Sequence, residues 1–523
     1  MALIDFFPYF ASWTVHHQLD WFLADTLNQK YPEYSGRIHS CSHYGALPCA
    51  VSRGFEPGST SASDICNMCR LNYNSYFSTF SQAIKVYAVN KNVKLTELKE
   101  MVNNASWYNK CDPSIRAALN SLTKNIDSLS ELTALTNFRI SRQDLYKFKP
   151  YWASYYSTTI LTEAINIIYN WSQALPDSIV LFNGRLSPYI APYYLAKILD
   201  IPIYIHERGT HKPYSIYYNE YPSTGLCAQS VQQRTRSFPE LYTSTSDDHL
   251  MSCLRARFQE IKVPSNYPDL FGNKDLERNI PLNSNKLNVL YLVSSEDEAD
   301  TYPGSDLANA QRIAINSIVN MAKKDRSISC TIKSHPNIYG VHGYPGMPYS
   351  ARFIDQLEQD IGTARNISIL GRNKNINPFS LVEDSDIIFG LHSSLLEYAW
   401  FHGKHIVTTS NTESAYIATS VINFCKPEEV ENCIMYYKNR HQTGMFSINA
   451  MQYLLVKYYA FDISVNDKIT ISGDHFSPRF SIDQLKAKSL GQLSPDIDVI
   501  MDCIVNKKDV NLELFKYRLC NIH

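Results

Sequence analysis

The chain has 523 residues, more than one hydrophobic core normally supports, so we expect about two to four domains. Hydrophobic residues make up 44% of the sequence and charged residues 19%, which is typical of globular proteins and excludes a disordered chain. Because 49 Lys and Arg are balanced by 50 Asp and Glu, no overall field favours nucleic acid, and an anionic ligand needs a local site.

The N-terminal residues MALIDFFPYF are apolar and aromatic but lack the basic leader and the small-residue cleavage site of a signal peptide. No stretch approaches the roughly 20 apolar residues that span a bilayer. We therefore expect a cytoplasmic protein, and peripheral attachment to the inner face of the inner membrane stays open as an alternative. The 12 cysteines of such a chain are expected to be reduced thiols rather than a disulfide framework.

One group of cysteines near the N-terminus has a spacing that allows metal binding. Cys41 and Cys49 precede the CxxC pair formed by Cys66 and Cys69, and His43 is a substitute ligand. Four such groups can hold one tetrahedral zinc ion, but the first spacing is loose for a zinc ribbon. We favour packed thiols, and zinc stays open as the alternative.

From about residue 150 the sequence alternates between helical and strand patterns. A Tyr-rich helical stretch is followed by a strand at 178–182, a helix at 188–199 and a strand at 201–206. Strand, helix and strand at this spacing predict a parallel sheet.

The same alternation returns after a polar segment, FGNKDLERNIPLNSNK, at residues 271–286. Gly, Pro and repeated Asn in that segment are typical of an interdomain linker. The strands predicted beyond it are 287–293, 328–334, 367–370, 387–390 and 405–409.

These patterns predict the α/β class, with two Rossmann-like domains facing a cleft. The first, at 1–275, carries the cysteine-containing insertion and is expected to bind the acceptor. The second, at 286–450, is expected to bind the donor, and a mixed helical extension at 451–523 packs back on the lobes. Ligands of such sheets bind beyond the carboxyl ends of the strands.

The block CTIKSHPN predicts a strand that Pro336 terminates, which presents His335 at the carboxyl end of the strand. Lys333 can contact a phosphate as a point charge and His335 as a hydrogen-bond donor. The alternative is a surface strand that ends in a turn.

A second block, EDSDIIFGLHSSLLEYAW, predicts a strand, a glycine turn and a helix that begins with two serines. The N–H groups of the first helical turn, together with the hydroxyls of Ser393 and Ser394, can bind an anion. A plain N-cap is the alternative. Glu397 can accept hydrogen bonds from a ribose or strengthen the helix N-terminus.

The order and separation of these two blocks place them on neighbouring strands of one predicted sheet. In this respect the chain resembles bacterial surface-polysaccharide glycosyltransferases, which include capsule-biosynthesis and Kdo transferases and, more distantly, bacterial sialyltransferases of the same fold. The resemblance covers residues 178–410 and implies a glycosyltransferase-B (GT-B) fold. It also implies that the pairs His335–Pro336 and Ser393–Ser394 hold the nucleotide and phosphate of a CMP-linked sugar.

The first domain offers two further candidates at predicted strand ends. Glu207 is a plausible general base for an acceptor hydroxyl, and Arg185, after Asn183 and Gly184, can offer a fork to a carboxylate or phosphate. The alternative is a structural ion pair of Glu207 with Arg208 or Arg185. The sialyltransferase-like relatives carry an acidic pair before a glycine, and here His206 replaces its first acid.

Ser294 and Ser295 follow the first predicted strand of the second domain, and an acidic run, Glu296 to Glu298, comes next. The two hydroxyls are candidates for donor contacts. The acids can cap a helix, bind the acceptor or catalyse, with Asp297 as the catalytic candidate, or form a solvated loop.

The resemblance implies transfer of a sugar from a nucleotide-linked donor to a glycan or lipid-linked glycan of the capsule, O-antigen or lipopolysaccharide. A CMP-activated Kdo- or nonulosonate-like acid is the favoured donor. No cofactor is expected besides this co-substrate, no metal site, and no nucleic-acid partner. Teichoic-acid-type polymerases that use CDP-linked glycerol carry similar pairs, so alditol-phosphate transfer is one alternative, and a non-catalytic nucleotide-binding subunit is the other.

Overall fold

The structure is a computed structural model that describes residues 2–9, 14–39, 41, 64, 66–67, 69–71, 74, 85–87, 106–138, 141–147, 149–208, 214–219, 247–261, 286–296, 306–339, 347–362, 364–371, 377–391, 393–409, 426–439, 448–463 and 494–520. The chain divides into two compact units. The first comprises Met1–Asn137, Phe148–Pro222 and Tyr458–His523, and the second comprises Phe138–Lys147 and Ser223–Lys457.

The first unit is built on a mostly parallel sheet. Its described strands are β1 (Ala2–Phe7), β2 (Tyr34–His39), β3 (Lys85–Tyr87), β4 (Ser178–Phe182), β5 (Ile203–Arg208), β6 (Tyr214–Tyr218) and a short C-terminal strand, Asp462–Ile463. Strands β1 to β5 run parallel in the order β3-β2-β1-β4-β5. Strand β6 pairs antiparallel with β5, and the C-terminal strand pairs antiparallel with β6. This order reverses direction between β1 and β4, as in a Rossmann sheet.

The apolar run SIVLF of β4 is buried along its whole length. Such a continuous run is typical of a strand in a parallel sheet that is covered on both faces. Its register places Val180 beside Phe6 of β1. The predicted strands at 178–182 and 201–206 are confirmed, the second with bounds Ile203–Arg208.

Helices pack around this sheet. Those described in the first unit are α1 (Thr14–Lys30), α2 (Ser106–Lys110), α3 (Pro113–Lys124), α4 (Ile126–Phe138), α6 (Lys149–Trp171) and α7 (Ile190–Ile198). The short helix α5 (Arg142–Tyr146) and Phe138, the last residue of α4, belong to the second unit. One core cluster joins Phe6, Trp21, Val180 and Ile500, all completely buried. Burial of each such large apolar side chain contributes about 1.5–3 kcal/mol.

The C-terminal part of the predicted extension is integral to the first unit. Asp462–Ile463 extends the sheet, and the two C-terminal helices, Pro495–Asn506 and Val510–Cys520, pack beside it. The hydroxyl of Tyr204 on β5 donates a hydrogen bond to the Cys503 carbonyl at 2.6 Å. The predicted extension is thus divided between the units, since residues 451–457 belong to the second unit and Tyr458–His523 to the first.

The helix α8, Asp247–Ile261, lies in the second unit, although the predicted first domain extended to residue 275. It packs against the helix Ile448–Val456, and its Leu250 and Leu254 are buried. The predicted boundary followed the polarity of the sequence, whereas the apolar face of α8 determines where this helix packs. The segment interpreted as a linker lies, apart from Lys286, outside the described residues.

The second unit contains a wholly parallel sheet. Its described strands are β7 (Leu287–Leu292), β8 (Ile328–Lys333), β9 (Ile367–Leu370), β10 (Ile387–Gly390) and β11 (His405–Thr408). They lie in the order β11-β10-β7-β8-β9. All five strands that the sequence predicts are confirmed, with bounds that differ by at most one residue.

Helices also accompany each strand of this sheet. After α8 they are α9 (Leu307–Lys324), α10 (Pro348–Ile361), α11 (Pro378–Glu383), α12 (Ser394–Phe401), α13 (Val430–Lys438) and α14 (Ile448–Val456). The core cluster includes Val289, Ile315, Ile332 and Phe389. Because both units are mostly parallel sheets with helices, the predicted α/β class with two Rossmann-like domains is confirmed.

The expectation that the His-Pro and Ser-Ser blocks follow neighbouring strands is wrong. The first block follows β8 and the second follows β10, and β7 lies between these two strands. Strands of a doubly wound sheet are added on both sides of the first one, so spacing along the chain does not reveal this reversal. The reversal places Ser294 and Ser295, which follow β7, between the two blocks.

Candidate functional site

The carboxyl ends of β7, β8 and β10 form the candidate site of the second unit. The strand order reverses between β7 and β10, and ligands of open parallel sheets bind at such a point. All candidate binding residues from the sequence follow one of these three strands. Neighbouring strands lie about 4.8 Å apart, so the ends of β8 and β10 are separated by about 10 Å.

The segment that follows β7 is fixed by the side chain of Gln311 on α9. The N–H of Ser294 donates to Gln311 Oε1 at 2.7 Å, and Gln311 Nε2 donates to the Ser294 carbonyl at 3.2 Å. Ser295 Oγ lies 3.5 Å from the sulfur of Met347. Both serines are buried, so their role in donor contacts stays a prediction.

Glu296, the first residue of the acidic run, has a structural partner. Arg312 donates two hydrogen bonds to its carboxylate, at 2.8 and 2.7 Å, and Ser350 Oγ donates a third at 2.5 Å. The carboxylate is 2% exposed and therefore fastens the segment after β7 to α9 and α10. Asp297 and Glu298, and with them the catalytic candidate of this run, lie outside the described residues.

Lys333 ends β8 beside Leu292 of β7. Its ammonium donates to the Ser334 carbonyl at 2.9 Å, and no carboxylate among the described residues pairs with it. Burial lowers the pKa of Lys333 to about 8, because the side chain loses water without gaining a counter-charge. A partly buried cation of this kind suits an anionic ligand.

His335 and Pro336 begin a short 3-10 helix, Pro336–Ile338, directly after β8. The N–H of Asn337 donates to His335 Nδ1 at 3.2 Å. With Nδ1 as the acceptor, a neutral imidazole carries its proton on Nε2. This hydrogen bond leaves Nε2 as the donor nitrogen of His335, and contact of His335 with a phosphate stays a prediction.

Ser393 is the N-cap of α12, and its Oγ accepts a hydrogen bond from the Leu395 N–H at 3.2 Å. The Ser393 hydroxyl therefore caps the helix, as the alternative interpretation of the sequence expects. Ser394 is the first residue of the helix, whose N-terminal N–H groups and dipole favour an anion. Phosphate binding by this pair stays a prediction.

Glu397 forms an ion pair with Lys457, a contact that the sequence does not predict. The two side chains are 4% and 15% exposed, and Lys457 opens a π-helical turn after α14. The pair joins α12 to a segment sixty residues away, so the structure shows a packing role for this carboxylate. Binding of a ribose by Glu397 stays a prediction.

In the first unit, Asn183, Gly184 and Arg185 follow β4. Asn183 and Gly184 both have positive φ angles, 64° and 73°, which turn the chain sharply at the end of the strand. Asn183 Oδ1 accepts a hydrogen bond from the Arg185 N–H at 3.2 Å. Arg185 Nη1 donates to Thr136 Oγ1 at 3.3 Å.

Glu207 lies near the end of β5, next to β4, and its carboxylate accepts a hydrogen bond from the Asn183 side-chain amide. The structure thus brings Glu207 and the turn before Arg185 together. The predicted Glu207–Arg185 ion pair is not formed, since Arg185 contacts Thr136 instead. The other predicted partner is Arg208, whose side chain is not among those that the structure describes.

Two buried polar clusters of the first unit were missed by sequence reasoning. Asp5 accepts hydrogen bonds from Arg37 at 2.6 and 2.7 Å and from Trp171 Nε1 at 2.8 Å, and lies 2.9 Å from His39 Nε2. His39 and Arg37 keep the pKa of this carboxyl below its ordinary value against the effect of burial. The signal was a charged residue inside the apolar strand LIDFF, which is rare without a partner.

The second missed cluster contains Tyr9, which donates a hydrogen bond to Glu163 on α6. Both residues are buried, and burial together with the nearby carboxylate raises the pKa of Tyr9. The Tyr9 ring packs on Tyr189, with centroids 5.1 Å apart. No local pattern in the sequence joins residues this far apart.

The predicted cysteine site lies partly outside the described residues, since Cys49 and His43 are not described. In the parts of the chain that the structure describes, no three His, Cys, Asp or Glu side chains are grouped as metal ligands. Zinc binding at these cysteines stays an open alternative. Within those same parts, no helix is both long and apolar enough to cross a membrane.

No profile of a known protein family matches this sequence, and no curated protein is similar to it. Among solved structures, UDP-GlcNAc 2-epimerase from Neisseria meningitidis, bound to UDP-GlcNAc, is 12% identical to this chain. The match covers 87% of this chain and 99% of the epimerase chain, with a TM-score of 0.28.

Two further solved structures are KpsC proteins of Thermosulfurimonas dismutans. The β-Kdo 2,4 transferase is 12% identical over 54% of this chain and 79% of its own, with a TM-score of 0.33. The β-Kdo 2,7 transferase is 8% identical, and the match covers 72% of this chain and 84% of the transferase chain, with a TM-score of 0.29.

Proposed function

We propose that this chain is a GT-B type glycosyltransferase of surface-polysaccharide biosynthesis that uses a nucleotide-activated sugar. The proposed donor is a CMP-linked Kdo- or nonulosonate-like acid, and the proposed acceptor is a glycan or lipid-linked glycan. The sequence resemblance to capsule and Kdo transferases supplies the class of reaction. The carboxyl edge of the second sheet supports the binding of a nucleotide phosphate.

The observation that carries this proposal is the ammonium of Lys333, which has no counter-charge among the residues that the structure describes. A buried cation without a counter-charge is costly to the folded state, and a phosphate oxygen removes that cost through a charge-assisted hydrogen bond. Lys333 ends β8, beside the strand at which the order of the sheet reverses. Doubly wound sheets bind their ligands at this position.

Two further groups at the same edge suit the remaining phosphate oxygens. His335, whose Nδ1 accepts the Asn337 N–H, can donate through Nε2, and the N-terminus of α12 presents N–H groups and the positive end of its dipole. Such fixed donors can stabilise a leaving nucleotide phosphate without a metal ion. We therefore expect transfer to be independent of divalent cations.

In the first unit, Glu207 is the proposed general base for the acceptor hydroxyl. Its hydrogen bond with Asn183 orients the carboxylate, and the left-handed backbone of Asn183 holds that amide at the end of β4. Orientation of a base by a fixed neighbour lowers the entropy lost on reaching the reactive geometry. Donor and acceptor are thus assigned to different units.

A thermal-shift screen against CMP, CDP, UDP, GDP and ADP tests the proposal. A ligand present at about 100 times its Kd stabilises the fold by about 2.7 kcal/mol, so a genuine donor nucleotide gives a clear rise in Tm. We expect CMP to give the largest rise. A larger rise with CDP, and turnover of CDP-glycerol, identifies the alditol-phosphate reaction instead, whereas no rise with any nucleotide contradicts the proposal.

A further inference from the structure

The ligand-binding edge of the first sheet lies where its strand order reverses, between β1 and β4. A Rossmann sheet that binds phosphate at this point uses a glycine-rich turn after β1. Here the segment from Pro8 to Thr14, PYFASWT, contains no glycine. An anion at this edge therefore needs a charged side chain, and Arg185, three residues after β4, is placed to provide it.

The backbone before Arg185 is tightly constrained. Gly184 has a φ of 73°, and a Cβ atom there would lie 3.2 Å from the Tyr193 ring, so any other residue strains this left-handed turn and crowds α7. Asn183 Oδ1 accepts the Arg185 N–H and closes the turn from the other side. The position of Arg185 at the sheet edge is thus set before any ligand binds.

The guanidinium of Arg185 has no counter-charge among the residues that the structure describes. Its Nη1 donates to the neutral hydroxyl of Thr136, and its Nε is buried without a hydrogen-bond partner. A guanidinium has five N–H donors and stays charged at any ordinary pH. Burying part of this charge without an acceptor opposes folding, which makes an external acceptor favourable at this place.

We propose that Arg185 binds an oxyanion of the acceptor, so that the acceptor of this enzyme carries a carboxylate or a phosphate. This inference rests on the proposed function, in which the first unit binds the acceptor. The planar fork of arginine matches both groups, and Thr136 holds one arm of the fork. Asn183 donates to Glu207 and accepts the Arg185 N–H, so one side chain positions the proposed base and the backbone of the anion site together.

The test measures anion binding by isothermal titration calorimetry in a Lys333→Met background. That substitution weakens the anion site assigned to the donor, so the difference in anion binding between this parent and its Arg185 variants reports on the first unit. The probes are inorganic phosphate, N-acetylneuraminic acid and its uncharged methyl ester. The proteins are Lys333→Met alone and Lys333→Met combined with Arg185→Met or with Arg185→Lys.

We expect the parent to bind at least one of the two anions, and Arg185→Met to weaken this binding about tenfold or more, since a charge-assisted hydrogen-bond pair is lost. Arg185→Lys keeps the charge without the fork and gives an intermediate loss. Binding of the sugar acid but not of its ester identifies a carboxylated acceptor. Binding of phosphate alone identifies a phosphorylated one.

The proposal is overturned if Arg185→Met binds the anions as well as its parent, or if the parent binds neither. Misfolding is checked by the Tm of Arg185→Met, which we expect to equal or exceed that of the wild type without anion, because no ion pair is lost. A lower Tm identifies a structural arginine and also overturns the proposal. CMP binding by Arg185→Met is measured separately, so a failure of the proposed function remains distinguishable.

Discussion

His206 Nε2 lies 2.8 Å from Asp20 Oδ1, and both side chains are completely buried. His206 immediately precedes Glu207, and its carbonyl accepts the Asn183 N–H at 2.9 Å. The pair therefore anchors helix α1 to the end of β5, where the proposed base and its partner meet. Asp20 is completely buried, so we expect it to act on the candidate site through His206.

The Asp20 carboxyl is expected to make the stability of the fold depend on pH. Burial raises its pKa above the ordinary value of 3.8, although His206 opposes the rise. A raised pKa means that the folded state retains the proton longer than the unfolded chain, so stability falls as pH rises from about 4 to the folded-state pKa. Asp20→Asn has no proton to lose and lacks this fall.

Urea unfolding of wild type and Asp20→Asn at a series of pH values measures this effect. The wild type is expected to lose stability relative to the variant as pH rises through that interval, after which the difference stays constant. Asparagine keeps an acceptor for His206, so the variant is a matched control for the charge alone. Parallel stability curves would show that Asp20 does not titrate in this way.

Glu296→Gln is expected to destabilise the fold by about 1–3 kcal/mol, because Arg312 and Ser350 lose a charged acceptor that is 2% exposed. We expect little change in kcat once the protein is folded, since Glu296 holds the segment after β7 and does not react. Urea unfolding and kcat at a temperature well below Tm measure the two effects. A large fall in kcat at unchanged stability would instead assign catalysis to this acid.

Lys333→Met is expected to raise the stability of the ligand-free protein at pH 7 by about 1–3 kcal/mol, because it removes a half-buried cation that no described carboxylate pairs with. The pKa of Lys333 is about 8 in the folded state against 10.5 ordinarily. The wild type therefore regains stability as pH rises from 8 to 10.5, and the advantage of the variant shrinks. Thermal unfolding of both proteins at pH 7 and pH 10 measures this difference in stability. An equal Tm of wild type and Lys333→Met at pH 7 would indicate that Lys333 is paired.

Glu207→Gln is expected to lower kcat by about 100- to 10,000-fold, the usual contribution of a general base, and to leave binding of the donor nucleotide unchanged. Asn183→Gly is the companion variant, because glycine tolerates the φ of 64° while removing the amide that orients Glu207. The kcat of Asn183→Gly is expected to fall less than that of Glu207→Gln. Release of nucleotide in the presence of acceptor measures kcat for both variants, and a wild-type kcat in Glu207→Gln would exclude Glu207 as the general base.

The fold class could be predicted from the sequence because strands such as SIVLF and LNVLYL are short apolar runs at βαβ spacing. Strand order could not, since the interposition of β7 between β8 and β10 depends on the side of the sheet to which each crossover returns. The place of α8 was missed for a similar reason. Its packing partner, α14, is almost two hundred residues away in the sequence.

The candidate site was predictable where chemistry and strand ends coincide, as at Lys333, His335 and Ser393. The partners of its carboxylates were not, because Glu296 pairs with Arg312 and Glu397 with Lys457 across distances that only the fold determines. Local sequence shows which groups are polar. Their counter-charges become known only when the elements pack.

The central claim, that the second unit binds a nucleotide phosphate through Lys333, is tested most directly by calorimetric titration of CMP into wild type, Lys333→Met and Lys323→Met. Lys323 is an exposed lysine of α9 in the same unit and serves as the matched control. We predict that Lys333→Met weakens CMP binding about tenfold or more, and that Lys323→Met binds like the wild type. Equal affinities in all three proteins, or no binding of CMP by the wild type, would contradict the claim.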